Sequence, residues 1–318
     1  MKKQAGTRTL SASFMADLKE GGILHGVLER VRNDETMMFA IRSGYANVYY
    51  RGGNLMKIVQ DKEGYRFSFD TNYKKDIALP AEHVADAQGT KEWIYALPHL
   101  KEAIDTHLSS NAKHEREFQQ LVARENNYSA ISNETEYFVV DIEFADSSLG
   151  ARFDMVALRW EARQRRTGTC KLAVIEMKYG DGSLDGGSGL QSHLDDIEKF
   201  LSRGDDAVKT FAAAVQEQFA QLRELGLVRF GPQGNELPVT VDCKGALEVI
   251  LLLANHNPRS TKLRDVVQSL NVPAGIDLRF FVANFAGYGL HTDNLVPLSR
   301  FQEMLKAPGT PYPAGRSE

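Results

Sequence analysis

The sequence predicts an α/β protein, in which a small α+β accessory domain precedes a core with a mixed central β-sheet flanked by helices. Three observations predict this. Several short strand-like runs crowd the first 70 residues and are punctuated by glycine. From residue 112 onward the pattern reads α-β-β-β-α-α-β-α-β, the alternation expected of a sheet covered by helices. The longest apolar run, residues 249–254, has the length of a buried strand and falls far short of the roughly 20 residues of a membrane helix.

Within the first unit, residues 36–42, 46–50, 54–59 and 65–69 are strand candidates, and Gly52-Gly53 is a hairpin turn between two of them. Neighbouring strands joined so tightly predict an antiparallel meander. Residues 71–95 are mostly polar, contain Pro80 and Gly89, and read as a linker. The expected division is therefore residues 1–95, residues 96–306 and a disordered tail, 307–318, that carries Pro308, Pro311 and Pro313.

In the second unit Phe118, Leu121 and Val122 recur at helical spacing and predict a helix over 112–124. Phe138, Val140, Ile142 and Phe144 alternate and are expected on one face of a strand over 136–144. Residues 154–160 and 171–179 are the next two strands, with Thr167-Gly168 as turn chemistry between them. The glycine- and serine-rich stretch 180–189 is a connector, since no Gly-Lys-Ser/Thr follows it as a phosphate loop requires. Leu190, Leu194, Ile197 and Leu201 mark one face of a helix. A second helix begins near Asp205 or Asp206, buries Val208, Phe211, Val215, Phe219 and Leu222, and stops at Gly226. Strand 246–254, helix 261–270 and strand 278–284 complete the pattern.

Composition narrows the function classes. A net charge of −4 argues against a protein that coats nucleic acid without specificity, but not against a locally basic groove. Cys170 and Cys243 cannot form a disulfide framework, and the eight histidines show no zinc-ligand spacing. Residues 1–7 lack the apolar stretch of a signal peptide, so a cytoplasmic protein with no membrane partner is expected.

The chemistry concentrates in two segments, Arg152-Phe153-Asp154-Met155-Val156-Ala157 and Leu172-Ala173-Val174-Ile175-Glu176-Met177-Lys178. Residues two apart on a strand share a face, so Glu176 and Lys178 point one way, and Met177 points the other way with Ala173 and Ile175. A carboxylate and an ammonium on an apolar strand are costly unless a metal and a phosphate partner them. The interval between Asp154 and Glu176 suits two strands and a turn, so hairpin pairing can bring the two acids together. Converging carboxylates recruit a cation, and Mg²⁺ (or Mn²⁺) fits one or two carboxylates plus phosphate oxygens. Such an ion activates water and polarises phosphate, Lys178 can position the attacking water, and the Met177 carbonyl is a further candidate ligand.

These residues resemble the PD-(D/E)xK nuclease superfamily, whose members include restriction enzymes, archaeal Holliday-junction resolvases and several phage-defence nucleases. The resolvase pattern is similar to Glu115-Arg116-Glu117-Phe118, Asp154-Met155-Val156-Ala157 and Ile175-Glu176-Met177-Lys178. The resemblance covers roughly residues 112–200 and departs from the family at Phe153, where the eponymous proline is absent. It implies a restriction-endonuclease-like core and metal-dependent cleavage of DNA in defence or DNA processing. It also implies that Glu115 joins Asp154 and Glu176 at the metal, with Glu117 as its alternative. Gln191 matches a glutamine found on the following helix in some branches, whereas His193 is expected to point elsewhere on that helix.

Arg159, Arg163, Arg165, Arg166 and Lys171 cluster on the hairpin and are read either as a phosphate-contacting arm beside the site or as a solvated turn. Cutting both strands of DNA would require two sites, which allows a homodimer. The alternative reading is a nucleic-acid-binding or interaction protein that keeps a nuclease scaffold without turnover.

Overall fold

The computed structural model describes residues 8–128, 135–162, 165–229, 237–256, 261–283, 290, 292 and 295–306. The fold is α/β, with helices packed on a mixed sheet and a second, antiparallel sheet ahead of it.

The N-terminal unit opens with helices α1 (Ala12–Leu18) and α2 (His25–Arg32). Five strands follow: β1 (Met37–Ile41), β2 (Tyr45–Tyr50), β3 (Gly53–Asp61), β4 (Gly64–Ser68) and β5 (His83–Val84). They pair in sequence order as the expected antiparallel meander. The turn between β2 and β3 is Arg51-Gly52, one residue earlier than expected. Both residues have positive φ (50° and 72°), the conformation that matches hairpin twist.

The expected linker over 71–95 is overturned in its second half. Asp86 caps a helix, α3 (Ala87–Ser110), by accepting a hydrogen bond from Gly89 N–H at 2.9 Å. Residue 95 lies inside that helix, so the first unit continues to Ser110. Trp93, Leu97, Leu100, Ile104 and Leu108 form its buried stripe, an i, i+4, i+7 pattern that Pro98 interrupts only locally.

The main sheet takes the order β12-β11-β10-β8-β7-β6, with β9 pairing on β8. Its strands are β6 (Tyr137–Asp146), β7 (Ala151–Arg159), β8 (Thr169–Tyr179), β9 (Thr240–Asp242), β10 (Leu247–Ala254), β11 (Ile276–Ala283) and β12 (Val296–Pro297). β6 and β7 run antiparallel to their neighbours, whereas β10 runs parallel to both β8 and β11. Helix α4 (His114–Asn127) covers one face through Val122 and Ala123. Helices α5 (Leu190–Leu201), α6 (Asp205–Glu224), α7 (Thr261–Ser269) and α8 (Leu298–Lys306) complete the chain's helices among the described residues. α5 and α6 cover the opposite face, where Phe144, Phe153, Phe200 and Phe211 interlock. Each of these rings contributes about 2–3 kcal/mol by leaving water. Asp205 and Asp206 occupy the first turn of α6, where their charge suits the helix dipole, while Gly204 is the cap residue.

The expected single face for Phe138, Val140, Ile142 and Phe144 is not what forms. Val139 pairs with Ala157 and Asp141 with Val156, so Val140 is an extra, bulged residue. Glu143 then takes a positive φ of 51°. As a result Ile142 packs on the α4 side while Phe138, Val140 and Phe144 pack on the α5–α6 side.

Two polar clamps join the units. Asp141, buried on β6, accepts from Arg8 Nη1 at 2.6 Å and from Arg42 Nη1, and Arg42 also donates to the Ile142 carbonyl at 3.0 Å. Gln120 on α4 accepts from Gly52 N–H at 2.7 Å and donates to the Thr36 carbonyl at 3.0 Å. Buried apolar residues run without a break from Leu10 through both sheets to Phe301. Asp141→Ala would strand two guanidinium groups, and urea denaturation is expected to show a loss of about 3–5 kcal/mol; a loss below about 1 kcal/mol would disprove the clamp. A Cβ at Gly52 would stand 2.6 Å from the Arg116 carbonyl carbon. Gly52→Ala is therefore expected to cost about 2 kcal/mol or more, and an unchanged melting temperature would refute it.

Candidate functional site

Strand β8 lies inside the sheet, with β7 on one side and β9 and β10 on the other. Leu172 and Val174 face α5 and α6, and Ala173, Ile175 and Met177 face α4. Strict alternation therefore sends Glu176 and Lys178 to the α5 side, as the spacing predicts. Both are buried, at 1% and 3% exposure, although they are charged residue types.

Asp154 is brought to this point by the hairpin. Its Oδ2 accepts a hydrogen bond from Met177 N–H at 2.9 Å. The register Met155↔Ile175 stops one step short of Asp154, so this side chain replaces a ladder bond at the place where β7 and β8 part. Asp154 and Glu176 therefore lie side by side, as the expected hairpin pairing requires.

The third member of the cluster is His193 on α5. Asp154, Glu176 and His193 each offer a donor atom within 4.8 Å of the others, an arrangement that could hold a metal ion. His193 Nδ1 stands 2.8 Å from Glu176 Oε2. Neither Glu176 oxygen nor His193 Nε2 has an aligned hydrogen-bond partner, and all three atoms are buried. Burial pushes the Glu176 carboxyl up to about 7, with the His193 contact opposing and Asp154 adding to the rise. Burial disfavours protonated His193, but the Glu176 carboxylate outweighs this and raises the imidazole.

Glu115 lies in the first turn of α4, within electrostatic reach of Lys178, Asp154 and His193 but outside the close cluster. Burial raises its carboxyl, and the Lys178 ammonium pulls it back. Glu117, its alternative, is turned away and accepts from Arg51 Nε at 2.7 Å.

The two readings on the α5 helix exchange places. Gln191 does not enter the site: its Nε2 donates to the Asn271 carbonyl at 3.1 Å and its Oε1 accepts from Asn271 N–H at 2.9 Å, tying α5 to the start of the β11 loop. His193, expected elsewhere, faces Glu176. Helical phase carried the signal, because position 193 falls between Ile197 and Phe200 around the helix, on the flank of the buried stripe.

The basic arm beside the site is also overturned. Arg159 pairs across the sheet with Lys171, at the far end of β7 and β8 from Asp154 and Glu176. Lys171 and Glu176 are five positions apart on β8, which is roughly 16 Å at strand rise. Arg159 is engaged by Glu248 and by Glu161 at 2.7 Å. Arg165 is buried, donates to the Thr135 carbonyl and lies 5.2 Å over the Phe138 ring. Arg166 and Lys171 are exposed, and Arg163 is outside the described residues.

Glu176 makes stability depend on pH. Its folded pKa lies above the ordinary 4.5, so its contribution is complete below about pH 4.5 and is lost as pH rises to about 7. Urea unfolding of the metal-free protein from about pH 4 to about pH 8 is expected to show this decline, and Glu176→Gln to flatten most of it; an unaltered slope in the variant would remove Glu176 as its source.

No helix among the described residues is long and apolar enough to cross a membrane. No family model matches the chain, and no curated protein or solved structure gives a match.

Proposed function

We propose that the chain is a metal-dependent nuclease of the PD-(D/E)xK kind, hydrolysing phosphodiester bonds with DNA as its polymer. One observation carries the reading. Two acids and a lysine from adjacent strands meet at one end of the main sheet, and both oxygens of the buried Glu176 lack a hydrogen-bond partner.

A buried carboxylate left without donors is expensive, and a divalent cation is the partner that removes the cost. Asp154 and Glu176 would hold Mg²⁺ or Mn²⁺, with His193 and the Met177 carbonyl as neighbouring donors and Glu115 assisting from α4. When bound, the ion supplies Lewis-acid polarisation of phosphate and acidifies a water.

The chain's own groups do the rest. Met177 N–H fixes the rotamer of Asp154, so this carboxylate is oriented before any substrate arrives. Lys178 shares the face of Glu176, holds its ammonium in a desolvated setting and can orient the attacking water. The same ammonium stabilises negative charge that develops on the phosphate oxygens. Burial on β8 keeps bulk water from screening these charges.

A cleavage panel tests the proposal. Single-stranded, double-stranded and branched DNA, and RNA, would be incubated with Mg²⁺ or Mn²⁺ and with chelator. Cleavage is expected with metal, to be lost with chelator, and to fall by about a hundredfold or more in Lys178→Ala. Full activity in Lys178→Ala, or no cleavage of any polymer with either ion, would falsify the assignment.

A further inference from the structure

Resting on the metal-site reading above, we propose that His193 is itself a ligand and makes the site select a first-row transition ion, with Mn²⁺ the probe, over Mg²⁺. Three observations on this chain support it.

First, the donors are close enough to share one ion. Adjacent vertices of an octahedron with metal–ligand distances of about 2.1 Å stand about 3 Å apart. His193 Nδ1 and Glu176 Oε2 stand 2.8 Å apart, and Asp154 completes a set within 4.8 Å.

Second, the close contact of the histidine is with Glu176, itself a candidate ligand. Its Nε2 is buried without a partner, and its Nδ1 faces Glu176 without hydrogen-bond alignment.

Third, the backbone holds the ring there. Leu190, Leu194, Ile197 and Phe200 are fully buried along α5, and the two-ended clasp of Gln191 on Asn271 opposes any rotation of the helix. His193 is thus delivered from a rigid element rather than a loop.

The selectivity follows from donor chemistry. Mg²⁺ takes oxygen ligands and water, while an imidazole nitrogen favours transition ions. Two carboxylates with one imidazole form a mixed set that Mn²⁺ accepts and that Mg²⁺ gains less from. Exchanging Glu176 for another acid would leave this preference in place, whereas removing the nitrogen would not.

The test uses the full chain with each metal alone, without substrate. Calorimetric titration is expected to show Mn²⁺ binding at least about tenfold more tightly than Mg²⁺. Pulsed electron paramagnetic resonance of the bound Mn²⁺ is expected to show a coupling to ¹⁴N. In His193→Gln the nitrogen coupling should vanish and the Mn²⁺ advantage should shrink by about fivefold or more, with Mg²⁺ affinity within about twofold of the parent. Bound Mn²⁺ without nitrogen coupling in the unmodified chain overturns the role of His193 and leaves the metal site standing. Failure of both ions to bind the unmodified chain overturns the metal site itself, and this proposal with it.

Discussion

One constraint organises the molecule: strand β8 carries an acid and a base on the same face, both almost wholly removed from water. Glu176 and Lys178 would each prefer solvent, and an apolar pair would pack there at no such cost. The surrounding sheet makes the placement unavoidable. β10 pairs with β8 through Tyr179 while β7 diverges after Ile175, and the pleat sends side chains at this end alternately toward α4 and toward α5. The parting of β7 from β8, the bond from Met177 N–H to Asp154 and the inward histidine of α5 are all arranged about that one end.

Much of this was legible in the residues. Alternation along 171–179 assigned Glu176 and Lys178 to a common face, and the hairpin placed Asp154 beside them. The early strands were legible because β-branched and aromatic runs are cut by glycines at tight turns. The failures have physical reasons. A bulge at Val140 adds one residue to β6, and a pattern counted in twos cannot register it. Polar residues 71–86 concealed a helix whose apolar stripe begins only at Trp93 and is broken by Pro98. Gln191 matches the motif by residue type, whereas the phase of the helix points to the histidine. The basic cluster near the hairpin was close to the site along the chain but lies at the other end of extended strands, where Glu248 and Thr135 engage two of its arginines.

The mixed sheet also separates two kinds of buried polarity. At Asp141 every charge is answered, with two arginines on one carboxylate and a bond from Ile142 N–H to the same group. Gln218 likewise spends its amide on the Ile41 and Val140 carbonyls, pinning β1 to the bulge. Such satisfied networks are what a structural role looks like. Glu176 differs from them because its oxygens are as deeply buried without an aligned hydrogen bond, the His193 imidazole standing beside one of them.

The turn at Arg51-Gly52 has a consequence for how the chain can change over evolutionary time. Gly52 touches the backbone of α4, and Arg51 holds Glu117 on the helix that also carries Glu115. The two sheets share one apolar interior. Residues 8–110 are therefore not a detachable module. Recombination that exchanged them for another unit would uncover that shared interior and loosen the helix bearing Glu115. Diversification would then proceed by substitution on a common scaffold, with changes at the β2–β3 turn acting on the helix that bears Glu115.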